Sequence, residues 1–253
     1  MLYFIGAGAG DPELLTVKGK KIIDSSDIII YTGSLVNKEL FIDIKEGAKL
    51  INSAPLNLDE VLEIIFDSNS KGLNIARVHT GDPSMYGAIR EKMVALDKAG
   101  IEYEVIPGVS SVFAGAAAIK REFTLPGVTQ TLILTRMAGR TPVPESEDIE
   151  NLAKIQASMA IFLSIASIDK LVKKLMTSYP KETPAAVVYK ASWPEQKIII
   201  STLENIADKV KEANINKTAI IYVGRFLADE FELSKLYDKR FGHEFREAKD
   251  AWR

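Results

Sequence analysis

The sequence predicts an α/β protein whose first half holds a mostly parallel sheet and whose second half holds a mixed one. Three observations lead there. Short β-rich runs alternate with amphipathic helical stretches through the first 119 residues. The texture then breaks at "KREFTLPGV" (120–128), which carries charge, Pro126 and Gly127. Beyond it, the apolar runs "AAVVYKA" and "QKIIIST" are joined by the turn-like "SWPE", as in a hairpin. The expected division is an N-terminal α/β domain over 1–119, a linker over 120–128, and a C-terminal α/β domain with a tail over 129–253.

The elements follow in order. "LYFIG" is a strand, and Thr16 to Ser25 a helix. "DIIIY" and "AKLI" are strands, then Leu58 to Lys71 is an amphipathic helix, "LNIARVH" a strand, Tyr86 to Ala99 a helix and "EYEVI" a strand. Strands alternating with helices of this length make βαβ units and hence parallel pairing. "SSVFAGAAAI" reads as a helix of small residues. In the second half the strands are "QTLILT", "MAIFLSI", "AAVVYKA", "QKIIIST" and "AIIYVG". Helices are expected from Ile168 to Tyr179 and from Leu203 to Ala213, and "RMAGRTPVPESED" is a polar loop.

Composition narrows the function classes. The chain has 253 residues, 47% of them hydrophobic, enough to bury sizeable cores. The formal net charge is -2, from 32 basic and 34 acidic residues, so there is no nucleic-acid footprint and an anionic ligand must meet a local basic cluster. With no cysteine, disulfides, thiolate metal sites and thiol catalysis are excluded. The sequence starts directly in a strand-like segment without a basic leader, and no apolar run is long enough for a bilayer; the expectation is a cytoplasmic protein with no membrane partner.

The unusual residues lie where strands end. "GAGAGDP" follows the first strand, "YTGSLVN" the second, "HTGDPSMYGA" the fourth and "IPGVSS" the fifth. In an open parallel sheet these carboxyl-end loops are where ligands bind. A dinucleotide fingerprint needs a third glycine five residues after Gly6, where the chain has Asp11, and an acidic residue after the second strand, where it has Tyr31, Thr32 and Gly33. Asp11 beside a pyrophosphate would repel it, and Pro12 postpones the helix to about Thr16. A nicotinamide-dependent oxidoreductase is thus the disfavoured alternative, and a Walker loop is excluded because no Gly-Lys-Ser/Thr follows. S-adenosylmethionine, a nucleoside with an ammonium and no phosphate, suits carboxylate, hydroxyl and backbone groups better. Methyl transfer from its sulfonium needs chiefly in-line approach in a desolvated cleft, which fits a chain with no obvious triad or metal cluster and leaves the catalytic residues unassigned.

"GAGAGDPELLTVKG", "HTGDPSMYGA" and "IPGVSS" resemble, in order and spacing, the three motifs of the tetrapyrrole (uroporphyrinogen/corrin) methylases. "YTGSLV", "GRTPVPE", "FLSIASI", "ASWPEQKI" and "SKLYDKRFGHEFR" are similar to the branch that methylates carbon 11 of precorrin-4 or cobalt-precorrin-4 in cobalamin biosynthesis. The resemblance implies two α/β domains with the active site in the cleft between them, S-adenosylmethionine as methyl donor with S-adenosylhomocysteine as product, and a homodimer. It assigns Gly81, Asp82, Met85, Ser110 and Ser111 to the cofactor, together with Ser164 or Ile165 and the stretch Tyr189 to Ala191 near the adenine. It sets Gly8, Gly10 and Ser34 at the tetrapyrrole. Ala9 stands where the family often has proline. Thr32 and Gly33 stand where the uroporphyrinogen branch has an acidic residue, which argues against that reaction. Methylation at carbon 20 or 17, or of a non-tetrapyrrole acceptor, is the nearest alternative.

A precorrin bears many acetate and propionate carboxylates, so its pocket calls for arginine or lysine. Arg136 and Arg140 are the preferred anchors, against a reading as solvated loop residues. Lys18 and Arg246 read equally as surface charge and as substrate contacts. His79 reads as a satisfied core histidine and His243 as a solvent-exposed one; nothing has metal-ligand spacing.

Overall fold

In the computed structural model, which describes residues 1–249, β1 (Leu2–Gly6), β2 (Ile28–Tyr31), β3 (Lys49–Asn52), β4 (Ile75–His79) and β5 (Tyr103–Ile106) form one sheet. Its order is β3-β2-β4-β1-β5 and every pair is parallel, as the strand–helix alternation predicts. Parallel strands are buried on both faces, and successive side chains here divide between two cores. Leu2, Phe4, Ile28, Ile30 and Ile75 pack with Val61 and Ile65 of α2 (Leu58–Ser70) and Leu96 of α3 (Arg90–Lys98). Ile5, Ile29, Tyr31, Ala76 and Val78 pack with Ile23 of α1 (Val17–Ser25) and with Leu40 and Phe41. Pro12 opens a 3-10 turn capped by Asp11, and α1 starts after Thr16, which caps it by accepting the Gly19 N–H. Asn57 and Glu60 cap α2 reciprocally. α4 (Ser111–Ile119) follows β5.

Two helix boundaries differ by several residues: the helix expected to run from Ile168 to Tyr179 stops at Leu175, where single turns replace it, and one start is displaced. The helix expected from Tyr86 begins only at Arg90, because Tyr86 and Ala88 take left-handed φ values of 57° and 48°, which no α-helix contains. Lys92, buried in α3, donates from Nζ to the Ala88 carbonyl at 2.9 Å and ties this turn down.

The second sheet holds β6 (Leu132–Arg136), β7 (Ser158–Phe162), β8 (Pro184–Tyr189), β9 (Lys197–Thr202) and β10 (Ala219–Val223) in the order β6-β7-β10-β8-β9. β6 and β7 are parallel, the other pairs antiparallel, and β8–β9 is the expected hairpin. Met159, Ile161, Val187 and Ile221 pack on α6 (Ile168–Leu175) and α7 (Leu203–Glu212), with α5 (Ile149–Ala153) beside them. α5 directly follows the polar loop and, at five residues, is too short to show a helical period; Asp148 caps it and is gripped by Lys174 at 2.7 Å. Phe123, Tyr222 and Phe226 form an aromatic cluster with centroids 5.2–6.5 Å apart.

The chain divides into two compact units. One is Met1–Ala118 with Lys190–Gln196; the other is Ile119–Tyr189 with the chain from Lys197 onward. The seven residues between β8 and β9 thus belong with the first unit. No helix among the described residues is long and apolar enough to cross a membrane.

Candidate functional site

Because the first sheet is wholly parallel, the loops after β1, β2, β4 and β5 leave from one edge. Three of them meet at glycines. A Cβ on Gly6 would lie 2.6 Å from Gly108 and from the Gly81 carbonyl, and one on Gly108 only 2.2 Å from that carbonyl. No side chain fits at Gly6 or Gly108, so the backbones of the three loops touch. Gly8 and Gly81 exchange backbone hydrogen bonds at 3.3 and 2.9 Å, and the Thr32 and Thr80 hydroxyls share one at 3.2 Å. Asp82 completes the bracing: one carboxylate oxygen accepts the Ser84 N–H at 2.8 Å and the other the Gly108 N–H at 2.9 Å. A carboxylate offers about four lone-pair sites, so both oxygens keep acceptor capacity for a ligand.

The first unit holds Gly8, Gly10, Ser34, Gly81, Asp82, Met85, Ser110, Ser111 and Ala191. Ser110 and Ala191 are buried, Met85 and Ser111 half-buried, and Ser34 exposed. On the α2/α3 face below the β4 loop, three bases are buried. Arg77 donates to the Ile30 carbonyl at 3.2 Å, and burial pushes its pKa down to about 10. His79 is 2% exposed, and its pKa is pushed down to about 3, first by burial and then by the charges of Arg77 and Lys92. It is a core histidine but not a satisfied one: among the described residues its Nε2 has no hydrogen-bond partner.

Ser164, Ile165, Tyr189, Arg136 and Arg140 belong to the second unit. β6, β7 and β8 all run antiparallel to β10 in direction, so their carboxyl ends share one sheet edge, and these residues sit at or just beyond it. Ser164, 3% exposed, accepts the Met137 N–H at 2.9 Å and donates to the Phe162 carbonyl at 2.7 Å, which stitches the loops after β6 and β7 together. Arg136 spends its guanidinium on the carbonyls of Met137, Thr141 and Pro142. It braces the loop that carries Arg140, which is exposed and has no ion-pair partner among the described residues. Lys18 is ion-paired with Glu104, and Arg246 bonds the carbonyls of Leu236, Asp238 and Phe241, so both have structural work. His243 is exposed. Among the described residues no group of three or more His, Asp or Glu side chains is arranged to hold a metal.

A profile of the tetrapyrrole (corrin/porphyrin) methylases matches residues 1–207. The chain belongs to this family. It is 53% identical over 246 residues to a cobalt-precorrin-4 C(11)-methyltransferase of Methanocaldococcus jannaschii, covering 96% of this chain and 95% of that one. It is 45% identical over 246 residues to a precorrin-4 C(11)-methyltransferase of Pseudomonas aeruginosa, covering 97% and 98%. The X-ray structure of a cobalamin biosynthetic enzyme, cobalt precorrin-4 methyltransferase, superposes with a TM-score of 0.88 at 45% identity, over 89% of this chain and 95% of that one.

Sequence reading missed the residues that fix this methylase's opening loop. Asn37 donates to the Gly10 carbonyl at 3.0 Å, Ser192 accepts the Asp11 N–H at 3.0 Å, and Trp193 donates to the Ala9 carbonyl at 2.9 Å. A signal was present in "SWPE": a tryptophan in a hairpin connection has a large apolar ring and an N–H that both need partners.

Proposed function

We propose that this methylase transfers the methyl group of S-adenosylmethionine to carbon 11 of precorrin-4 or its cobalt complex in cobalamin biosynthesis, releasing S-adenosylhomocysteine. The observation that carries the reading is the near-full-length likeness to relatives of that name. The electron-rich ring carbon attacks the methyl carbon as its bond to sulfur breaks, and the sulfonium charge is neutralised. Such a step calls for orientation and exclusion of water. Gly81, Asp82, Met85, Ser110 and Ser111 hold the cofactor, with Ser164, Ile165, Tyr189 and Ala191 contributing at its adenine. Gly8, Gly10 and Ser34 meet the tetrapyrrole. Arg140 takes a peripheral carboxylate, and Arg136 acts through the loop that carries Arg140. The glycine junction supports this reading, since it makes a backbone-lined edge with Asp82 set into it. The enzyme works as a cytoplasmic homodimer, without nucleic acid or membrane.

The test combines calorimetric titration with S-adenosylhomocysteine and incubation with defined precorrins, followed by mass and NMR analysis of the product. A methyl group on carbon 11 is the expected result. Methylation at another carbon would move the chain to a different branch, and absence of cofactor binding would end the methyltransferase reading. Sedimentation of the purified protein checks the dimer.

A further inference from the structure

The segment Lys190–Gln196 meets the opening loop at three points within the first unit. Trp193 Nε1 holds the Ala9 carbonyl, Ser192 Oγ holds the Asp11 N–H, and the indole lies against Gly10 so closely that a Cβ there would stand 2.1 Å from Cδ1 and Nε1. The indole is itself fixed. The Lys190 ammonium lies 5.3 Å from its ring centroid and is ion-paired with Glu195 at 3.1 Å; Ser192 N–H donates to Gln196 Oε1 at 2.8 Å. Farther back the loop is tied to Gly81 through Gly8, and the Gly10 carbonyl is taken by Asn37.

Backbone accounting shows what this clamp leaves over. The Ala9 and Gly10 carbonyls and the Asp11 N–H are engaged, and the Asp11 carboxylate accepts the Glu13 N–H at 2.9 Å. The N–H groups of Ala9 and Gly10 have no acceptor among the described residues, although both residues are buried. Backbone N–H groups of buried residues are nearly always paired in folded proteins, so two unpaired in succession point to an acceptor from outside the chain.

We propose that Trp193 is a positioning residue: by seating on Gly10 and holding the Ala9 carbonyl, it fixes the opening loop so that the Ala9 and Gly10 amides receive a hydrogen-bond acceptor of the substrate, the kind its acidic side chains supply. This rests on the tetrapyrrole reading above and adds a residue and a donor pair to it. The dominant effect is on substrate binding. Tyr189, just before the segment, and Ala191, within it, are given to the cofactor in the reading above, so the readouts separate the two ligands.

The experiment uses the full chain and two variants, Trp193→Phe, which keeps a ring over Gly10 but removes the donor, and Ser192→Ala. Amide hydrogen exchange of the peptide spanning the opening loop, without any ligand, is expected to speed up by about fivefold in each variant, the equivalent of one lost hydrogen bond. With precorrin-4 or its cobalt complex, KM rises by about 5–10-fold while kcat and the affinity for S-adenosylhomocysteine stay within about twofold of wild type. Unchanged loop exchange, or unchanged KM in both variants, overturns the proposal. So does a loss of S-adenosylhomocysteine affinity, which would place the segment's role at the cofactor. If the wild-type chain failed to methylate any precorrin, the exchange result would still decide whether Trp193 fixes the loop, and the functional reading alone would fall.

Discussion

His79 makes the stability of this methylase depend on pH in a way a single substitution isolates. The side chain ends β4 immediately before the loop that carries Asp82, is 2% exposed, and lies 5.9 Å from the Phe4 ring. Its pKa is pushed down to about 3 by burial and by the nearby charges of Arg77 and Lys92. In the unfolded chain an ordinary histidine titrates near 6.5. Folding therefore excludes a proton that the unfolded chain takes up below about pH 6.5, so the contribution is complete above that value and is lost as the pH falls toward about 3. Each unit of difference is worth about 1.4 kcal/mol. Between about pH 7.5 and pH 5 the unfolded histidine goes from mostly neutral to almost fully charged while the folded one stays neutral, which costs about 2 kcal/mol. In His79→Leu this term vanishes, whereas the carboxylates that also weaken the fold in acid are common to both proteins. Urea denaturation of wild type and variant at the two pH values measures the difference of differences. The expected value is about 2 kcal/mol more loss in the wild type. Equal losses would mean that His79 finds an acceptor when protonated, and the description of an unpaired neutral imidazole would be wrong.

Three further outcomes follow from the loop junction and the basic residues. Asp82→Ala removes the acceptor of two loop N–H groups and should weaken S-adenosylhomocysteine binding by about tenfold or more in calorimetry, with Asp82→Asn intermediate; unchanged affinity would take Asp82 out of the site. Gly108→Ala sets a methyl group 2.2 Å from the Gly81 carbonyl and should cost about 3 kcal/mol or more in chemical denaturation, or prevent soluble expression. Arg140→Gln should raise KM for the tetrapyrrole by about tenfold with no change in Tm. Arg136→Gln should instead lower Tm, because its guanidinium serves three backbone carbonyls; the reverse pattern would exchange their roles.

The strands and their order of appearance are legible in the sequence because a strand buried on both faces must be apolar throughout, as "DIIIY" and "IARVH" nearly are. Arg77 and His79 are the exceptions, two basic side chains buried in β4. Helix ends were less legible where the backbone overrides the side-chain period. Tyr86 to Ile89 has helical spacing, yet two left-handed residues hold it open as a loop. α5 escaped because five residues are too few for a period, and its capping Asp148 looked like one more acid in a polar stretch. The loops of the site could be found from glycine, proline and aspartate, but their partners could not. Asn37, Ser192 and Trp193 act through positions set by tertiary folding, up to 184 residues away in sequence.

The opening loop shows why a glycine pattern alone misleads. "GAGAG" suggests a phosphate cradle if all its glycines free backbone N–H groups for one ligand. Here each glycine answers a different neighbour. Gly6 lets β1 touch the loops after β4 and β5, Gly8 pairs with Gly81, and Gly10 leaves room for an indole. Among the described residues, only the Ala9 and Gly10 N–H groups of this loop have no acceptor. They precede a carboxylate at Asp11 and a 3-10 turn at Pro12–Leu14, not a helix of useful dipole. Two donors without the helix behind them suit a single acceptor on a large substrate and not a pyrophosphate. The departure from the dinucleotide fingerprint at Asp11 is therefore the most informative residue of the motif, because it separates two chemistries that the glycines cannot.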